Sequence, residues 1–234
     1  EFASFIGSRH AILMANGTVT IQCALQAVGV RPGDTVIVPA LTWVATMQAA
    51  LDIGADVTLV DIDPETWGIS PKAVEEAITD RTRAMIPVHL YGCMCDMDAL
   101  MDIARKHGLK VVEDVAHQHG SRWRNCGAGA LGDAGSFSFQ QSKTLTCGEG
   151  GAITCNDEEV YETAFCLKQV GWKPDLATPG NHYCHNYRAT EMQAVLLRGG
   201  MTRIQDQIRV REDNVMRITE GLTSIGGPLR AATR

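Results

Sequence analysis

The stretch AGSFSFQQSKTLTCGEGGAITC, residues 134–155, decides how the chain is read. Two short runs of alternating or continuous apolar character flank a polar turn that carries one lysine, Lys143, and a cluster of glycines closes it. Such runs read as strands, so a long charged side chain stands between two segments that belong in a core. Two readings are open. Lys143 is a solvated turn residue, or it is a partly desolvated amine whose lowered pKa suits it to form a Schiff base with a carbonyl.

On either side of this stretch, apolar runs of strand length alternate with helical patterns, as expected of repeated βαβ units and a mainly parallel sheet with helices on both faces, an α/β fold. HAILMA (10–15) leads through Asn16-Gly17-Thr18 into the helical VTIQCALQAVGV, and DTVIVPA (34–40) into TWVATMQAALDIG. DVTLVDID (56–63) leads into SPKAVEEAI, where Ser70 caps a helix and Pro71 fills its first turn. RTRAMIPVHL precedes DMDALMDIARKHG, whose basic last turn and Gly108 suit a helix end. LKVVEDVAH (109–117) is a near-continuous apolar run of the kind buried on both faces, and it stops at Glu113 and Asp114. Ligands of open α/β sheets bind beyond the carboxyl ends of the strands, so a carboxylate there is placed for chemistry. After DEEVYETAFCLKQVG, helical periodicity over residues 189–222 is interrupted by Gly199-Gly200, which predicts a kink, a close packing contact or a break.

Composition narrows the function. With 45% hydrophobic and 21% charged residues the 234-residue chain is globular rather than disordered, one large domain plus a piece of something else. A net charge of -6 gives no basic footprint for nucleic acid. No apolar run approaches the roughly 20 residues of a membrane span, and EFASFIGSRH lacks the charged start and apolar centre of a signal peptide. Eight scattered cysteines without a CxxC pair suit reduced thiols and a cytoplasmic location. HYCH (182–185) has metal-ligating side chains but no second cluster at zinc spacing, so no metal is expected. GAGALG (127–132) matches the GxGxxG dinucleotide fingerprint, yet a strand-like run follows it where the motif requires a helix.

The remaining candidates each carry two readings. Gly17-Thr18 sits where a strand passes into a helix, so Thr18 either helps hold a phosphate at the helix start or merely caps it. Asp114 either faces a pyridine nitrogen, keeping it protonated, or ends a strand in an ion pair. Trp43 stacks on a ring or packs in the core, the default for a lone aromatic. The glycines of CGEGG let the backbone pass close to a site or simply make a turn.

Taken in order, Gly17-Thr18, Trp43, EDVAHQHG (113–120), SFSFQQSKTLTCGEGGA (136–152) and HNYR (185–188) form a series that resembles the large domain of fold-type I enzymes using pyridoxal 5'-phosphate. Within that fold it resembles the DegT/DnrJ/StrS family of sugar and cyclitol aminotransferases over essentially the whole chain. The resemblance implies that Lys143 holds the cofactor as a Schiff base and then serves as general base, while Asp114 pairs with the pyridinium nitrogen. It implies that Trp43 and Ala116 cover the two ring faces and that Gly17, Thr18 and Ser138 bind the phosphate. Asn186 would reach the phosphate of a neighbouring subunit, making a homodimer with shared sites. His117 stands where glutamine is commoner in the family, near the ring hydroxyl. Together with FSFQQSK it leans toward the branch that aminates cyclitol ketones such as scyllo-inosose, and toward the 3-amino-5-hydroxybenzoate synthases. Related sugar dehydratases carry histidine in place of the lysine, so Lys143 favours amino transfer.

The expected function is therefore transfer of an amino group from glutamine or glutamate to a keto-cyclitol or keto-sugar in aminocyclitol antibiotic synthesis. The rivals are a synthase or dehydratase on the same cofactor, and an incomplete chain that only binds it. Residues 1–188 are expected to be the cofactor-binding domain, truncated at its start. Residues 189–234 are expected to be a long helical link toward a small C-terminal domain beyond this chain, whose absence would weaken cofactor binding or favour aggregation.

Overall fold

A computed structural model describes residues 1–180 and 184–226. In chain order its elements are α1 (Phe2–Ile6), β1 (His10–Met14), α2 (Gly17–Ala27), β2 (Thr35–Pro39), α3 (Val44–Asp52), β3 (Asp56–Val60), α4 (Pro71–Ala77), β4 (Thr82–Met85), α5 (Met97–His107) and β5 (Lys110–Asp114). The short pair β6 (Arg122–Trp123) and β7 (Cys126–Gly127) follows, then β8 (Ala134–Ser138), β9 (Gly151–Cys155), α6 (Glu158–Lys168), α7 (Glu191–Met201) and α8 (Ile204–Ile225).

Seven strands form one sheet in the order β1-β9-β8-β5-β4-β2-β3. Only β9 runs against the others, pairing antiparallel with both β1 and β8, whereas β8, β5, β4, β2 and β3 are parallel to one another. The expectation of a mainly parallel sheet is met. Successive side chains of a strand point to opposite faces, and here both faces are covered. Val36 and Val38 of β2 pack with α2, α3 and α6, while Ile37 packs with α4 and α5. Phe137 and Phe139 join a third cluster with Leu197 of α7 and Ile204 of α8. Burial on both faces is why these strands read as continuous apolar runs.

The helix ends read from the sequence follow the predicted chemistry: the Ser70 hydroxyl accepts from Ala73 N–H, Pro71 opens α4, and α5 ends at Gly108 with φ 67°. The structure adds Asp96 as the cap at the start of α5. The helical pattern after residue 189 breaks between α7 and α8, just past the two glycines. Gly200 faces Leu145, whose Cδ1 would lie 2.8 Å from an added Cβ, so this glycine serves close packing against the loop that carries Lys143. No described helix is long and apolar enough to cross a membrane. His182 of HYCH and the final residues from 227 lie outside the described residues.

Candidate active site

The carboxyl ends of β1, β2, β5 and β8 open into one cavity of about 580 Å³, lined by Gly17, Thr18, Trp43, Asp114, Ala116, His117, Ser138 and Lys143. Eight of the nine residues singled out in the sequence thus meet, although they come from segments far apart in the chain. Asn186 does not line the cavity; it is exposed, bridges to Gln169 and accepts from Arg188 Nε at 2.8 Å.

At one end the cavity meets the start of α2. The cap is Asn16, not Thr18: its Oδ1 accepts from Val19 N–H at 3.0 Å. Gly17 and Thr18 are therefore the first two helical residues, and among the described residues their N–H groups meet no protein acceptor. Free donors at a helix start, with the positive end of the helix dipole, suit a phosphate. Gly17 is required by contact: a Cβ there would stand 2.8 Å from Cβ of Ser138, so only glycine lets the end of β8 seat against the helix. Ser138 is further held by His119, whose Nε2 lies 2.9 Å from the Ser138 carbonyl between the rings of Phe137 and Phe139. Burial pushes the His119 pKa down to about 4, so this imidazole is neutral and donates.

Glu113 and Asp114 end the same strand and point opposite ways. Asp114, only 5% exposed, turns its carboxylate to the cavity. Both its oxygens are held: Oδ2 accepts from Thr46 Oγ1 at 2.8 Å and Oδ1 from Ala116 N–H at 3.1 Å. Thr46 is fully buried and 2.7 Å from Thr42 Oγ1. Because Thr46 spends its proton on Asp114, Thr42 must donate to it, and the two hydroxyls form a relay that fixes the carboxylate. Glu113 faces the opposite layer, where it accepts from the N–H groups of Gly129, Leu131 and Gly132 at 2.8 Å each and lies 3.0 Å from His89 Nε2. The GAGALG segment thus runs from the end of β7 into a loop bolted to Glu113, with β8 and no helix after it.

Lys143 projects from the loop between β8 and β9 into the cavity. Its ammonium has no hydrogen-bond or ion-pair partner among the described residues. Burial lowers its pKa below the usual lysine value, with Asp114 pulling the other way. His117 is lowered as well, first by burial and then by the Lys143 charge, so a neutral imidazole stands beside the amine. Its Nδ1 is buried without a protein partner. Trp43, the default core residue by sequence, is instead 74% exposed at the first turn of α3, its indole over the cavity.

An unpaired amine of lowered pKa, a fixed buried carboxylate, free helix-start N–H groups and an uncovered indole fit a phosphate-bearing pyridine aldehyde. The sheet and this site define a domain built to hold pyridoxal phosphate at the carboxyl edge of a mainly parallel sheet. The whole chain, residues 1–234, matches the DegT/DnrJ/EryC1/StrS aminotransferase family, and the chain belongs to it. It is 47% identical over 229 residues to a protein of Streptoalloteichus tenebrarius provisionally named L-glutamine:3-amino-2,3-dideoxy-scyllo-inosose aminotransferase, covering 97% of this chain and 55% of that one. It is 41% identical to the L-glutamine:scyllo-inosose aminotransferase of Streptomyces griseus, covering 96% and 55%. Among solved structures, 3-amino-5-hydroxybenzoic acid synthase superposes with a TM-score of 0.88 at 40% identity, covering 94% of this chain and 58% of that one. The chain spans about half the length of the curated relatives it matches.

Proposed function

We propose that this chain carries the cofactor site of a pyridoxal-phosphate-dependent aminotransferase that moves an amino group from glutamine or glutamate to a keto-cyclitol of the scyllo-inosose type, in aminocyclitol antibiotic synthesis. The observation that carries the reading is the meeting of an unpaired Lys143 and a doubly held Asp114 in one cavity. The names of the relatives supply the acceptor class. Residues 1–188 are read as the cofactor-binding domain and 189–234 as a link, working in a cytoplasmic homodimer to which Asn186 contributes across the interface.

Pyridoxal phosphate, when bound, supplies the electron sink that lets an amino-bearing carbon give up its proton. The protein's part is positioning and proton transfer. Gly17 and Thr18 N–H groups and the Thr18 and Ser138 hydroxyls would hold the phosphate, and Trp43 and Ala116, which line the same cavity, would flank the ring. Asp114, unable to turn away from its Thr46 and Ala116 donors, favours a protonated ring nitrogen. Lys143 Nζ, which lines the cavity with no hydrogen-bond or ion-pair partner among the described residues, would be the group placed to accept the proton that the donor carbon gives up, for which a lowered pKa is the useful direction. The neutral His117 neither repels the Lys143 charge nor competes for its proton.

A second reading, a synthase making an aromatic amine precursor, is favoured by 40% identity to the 3-amino-5-hydroxybenzoate synthase of Amycolatopsis mediterranei. It would use the same Lys143 and Asp114, and the acceptor decides between them. Incubation with α-15N-glutamine and scyllo-inosose tests the first reading. Label in an aminocyclitol is the expected result; a folded, cofactor-loaded protein that gives no amine from this acceptor refutes it.

A further inference from the structure

Tyr91 and Trp67 form a feature the site above does not use. Tyr91 lines the cavity yet is 69% exposed, and its ring stacks on His117 with centroids 5.1 Å apart and planes at 26°. Trp67 meets Tyr91 edge-on, centroids 6.2 Å apart at 89°. Both bulky residues hold left-handed backbones, φ 51° at Tyr91 and φ 60° at Trp67, a conformation that side chains of this kind rarely adopt and that concentrates at ligand sites.

Neither loop is slack. Asp63 Oδ1 accepts from Glu65 and Thr66 N–H, Trp67 N–H donates to Asp63 O at 2.8 Å, and Cys93 N–H closes the Tyr91 turn onto Leu90 O at 2.9 Å. The fold thus maintains, against backbone preference, an aromatic row in which His117 and Tyr91 line the cavity and Trp67 packs edge-on against Tyr91 from outside its lining.

We propose that Tyr91, supported by Trp67, forms the acceptor subsite, taking the C–H face of a cyclitol ring as it approaches Lys143; the proposal rests on the aminotransferase reading. A ring with every hydroxyl equatorial presents only axial C–H bonds on each face. Those weakly positive hydrogens complement the negative face of an aromatic ring, while the hydroxyls at the rim stay free for the Tyr91 phenol and water. The row carries no formal charge, so it offers nothing to the carboxylates of an amino-acid donor and selects the neutral acceptor. The other aromatic-binding ligand, the base of a nucleotide-linked sugar, would use the same rings, and the experiment separates the two.

The cofactor-loaded protein is titrated calorimetrically with scyllo-inositol, which has no ketone to turn over, with D-chiro-inositol, whose two axial hydroxyls obstruct one face each, and with GDP. Expected are preference for scyllo- over chiro-inositol, binding of scyllo-inositol weakened roughly tenfold in Tyr91→Ala and severalfold in Trp67→Ala, and retention within about twofold in Tyr91→Phe, which keeps the ring. Each variant must keep the visible absorption of bound pyridoxal phosphate, which establishes that its site is assembled. Alanine variants that bind scyllo-inositol as wild type does overturn the subsite and leave the function standing. So does tight GDP binding lost in both alanine variants without any response to scyllo-inositol. A folded wild type that never acquires the Lys143-dependent absorption refutes the function itself.

Discussion

Replacing Thr46 with valine tests how Asp114 is held without replacing any residue proposed to bind the cofactor. Valine keeps the shape and removes the hydroxyl. Asp114 Oδ2 then loses its 2.8 Å donor and keeps only the longer 3.1 Å bond from Ala116 N–H to its other oxygen. A hydrogen bond to a charged group contributes about 1.5–3 kcal/mol, and at 5% exposure Asp114 has little water to replace it. Thr42, half-buried, turns its hydroxyl to solvent at small cost. We therefore expect Thr46→Val to lower the unfolding free energy of the cofactor-free protein by about 2 kcal/mol in urea, and to weaken pyridoxal phosphate binding about tenfold because the carboxylate is no longer aimed. Thr46→Ser restores the hydroxyl and should recover most of both. A valine variant within about 0.5 kcal/mol of wild type, the ordinary scatter of a neutral substitution, would refute the claim that the Thr42–Thr46 relay fixes Asp114.

Three further outcomes follow from the geometry. Gly17→Ala drives a Cβ to 2.8 Å from Ser138 Cβ and should cost about 1–3 kcal/mol of stability and a larger share of cofactor affinity, read by absorbance titration. His119, with its pKa pushed from 6.5 down to about 4, is neutral when folded while the unfolded chain takes a proton below pH 6.5. Stability from this group is complete above that pH and is lost as the pH falls toward 4, about 3 kcal/mol in all; urea titrations at pH 7 and 5 should show a smaller loss in His119→Phe. Glu113→Gln leaves one carbonyl oxygen for the N–H groups of Gly129, Leu131 and Gly132 and should lower stability by about 3 kcal/mol or more, measured by thermal unfolding, although Glu113 faces away from the cavity.

How much of this was legible in the sequence depends on the range of the interaction. The strand-turn-strand around Lys143, the cap at Ser70 and the glycine at 108 are local, and their residues announce them. Thr46 is different. Inside TWVATMQAALDIG it reads as an ordinary helical residue, and its importance comes from a carboxylate 68 residues away. Nothing in the run VVED tells Glu113 from Asp114 until strand alternation is combined with knowledge of which layer the cavity occupies. In the sequence Thr18 offers itself as the cap, and the preference of asparagine for helix caps is the signal in Asn16 that points to that residue instead. Trp43 illustrates the opposite error: burial is the usual fate of an indole, and only a cavity at the end of β2 reverses it. Tyr91 gave no signal, since a left-handed backbone at tyrosine is not encoded by any local pattern.

Lys143 and Asp114 are proposed to operate a pyridoxal phosphate site that exchanges amino groups. The most direct test is the visible absorption spectrum of the purified protein with added pyridoxal phosphate, recorded before and after glutamine, for wild type and Lys143→Ala. Expected is a visible band in wild type that glutamine discharges and that the lysine variant never forms. A folded wild type without that band, or a Lys143→Ala protein that forms and discharges it equally well, would contradict it.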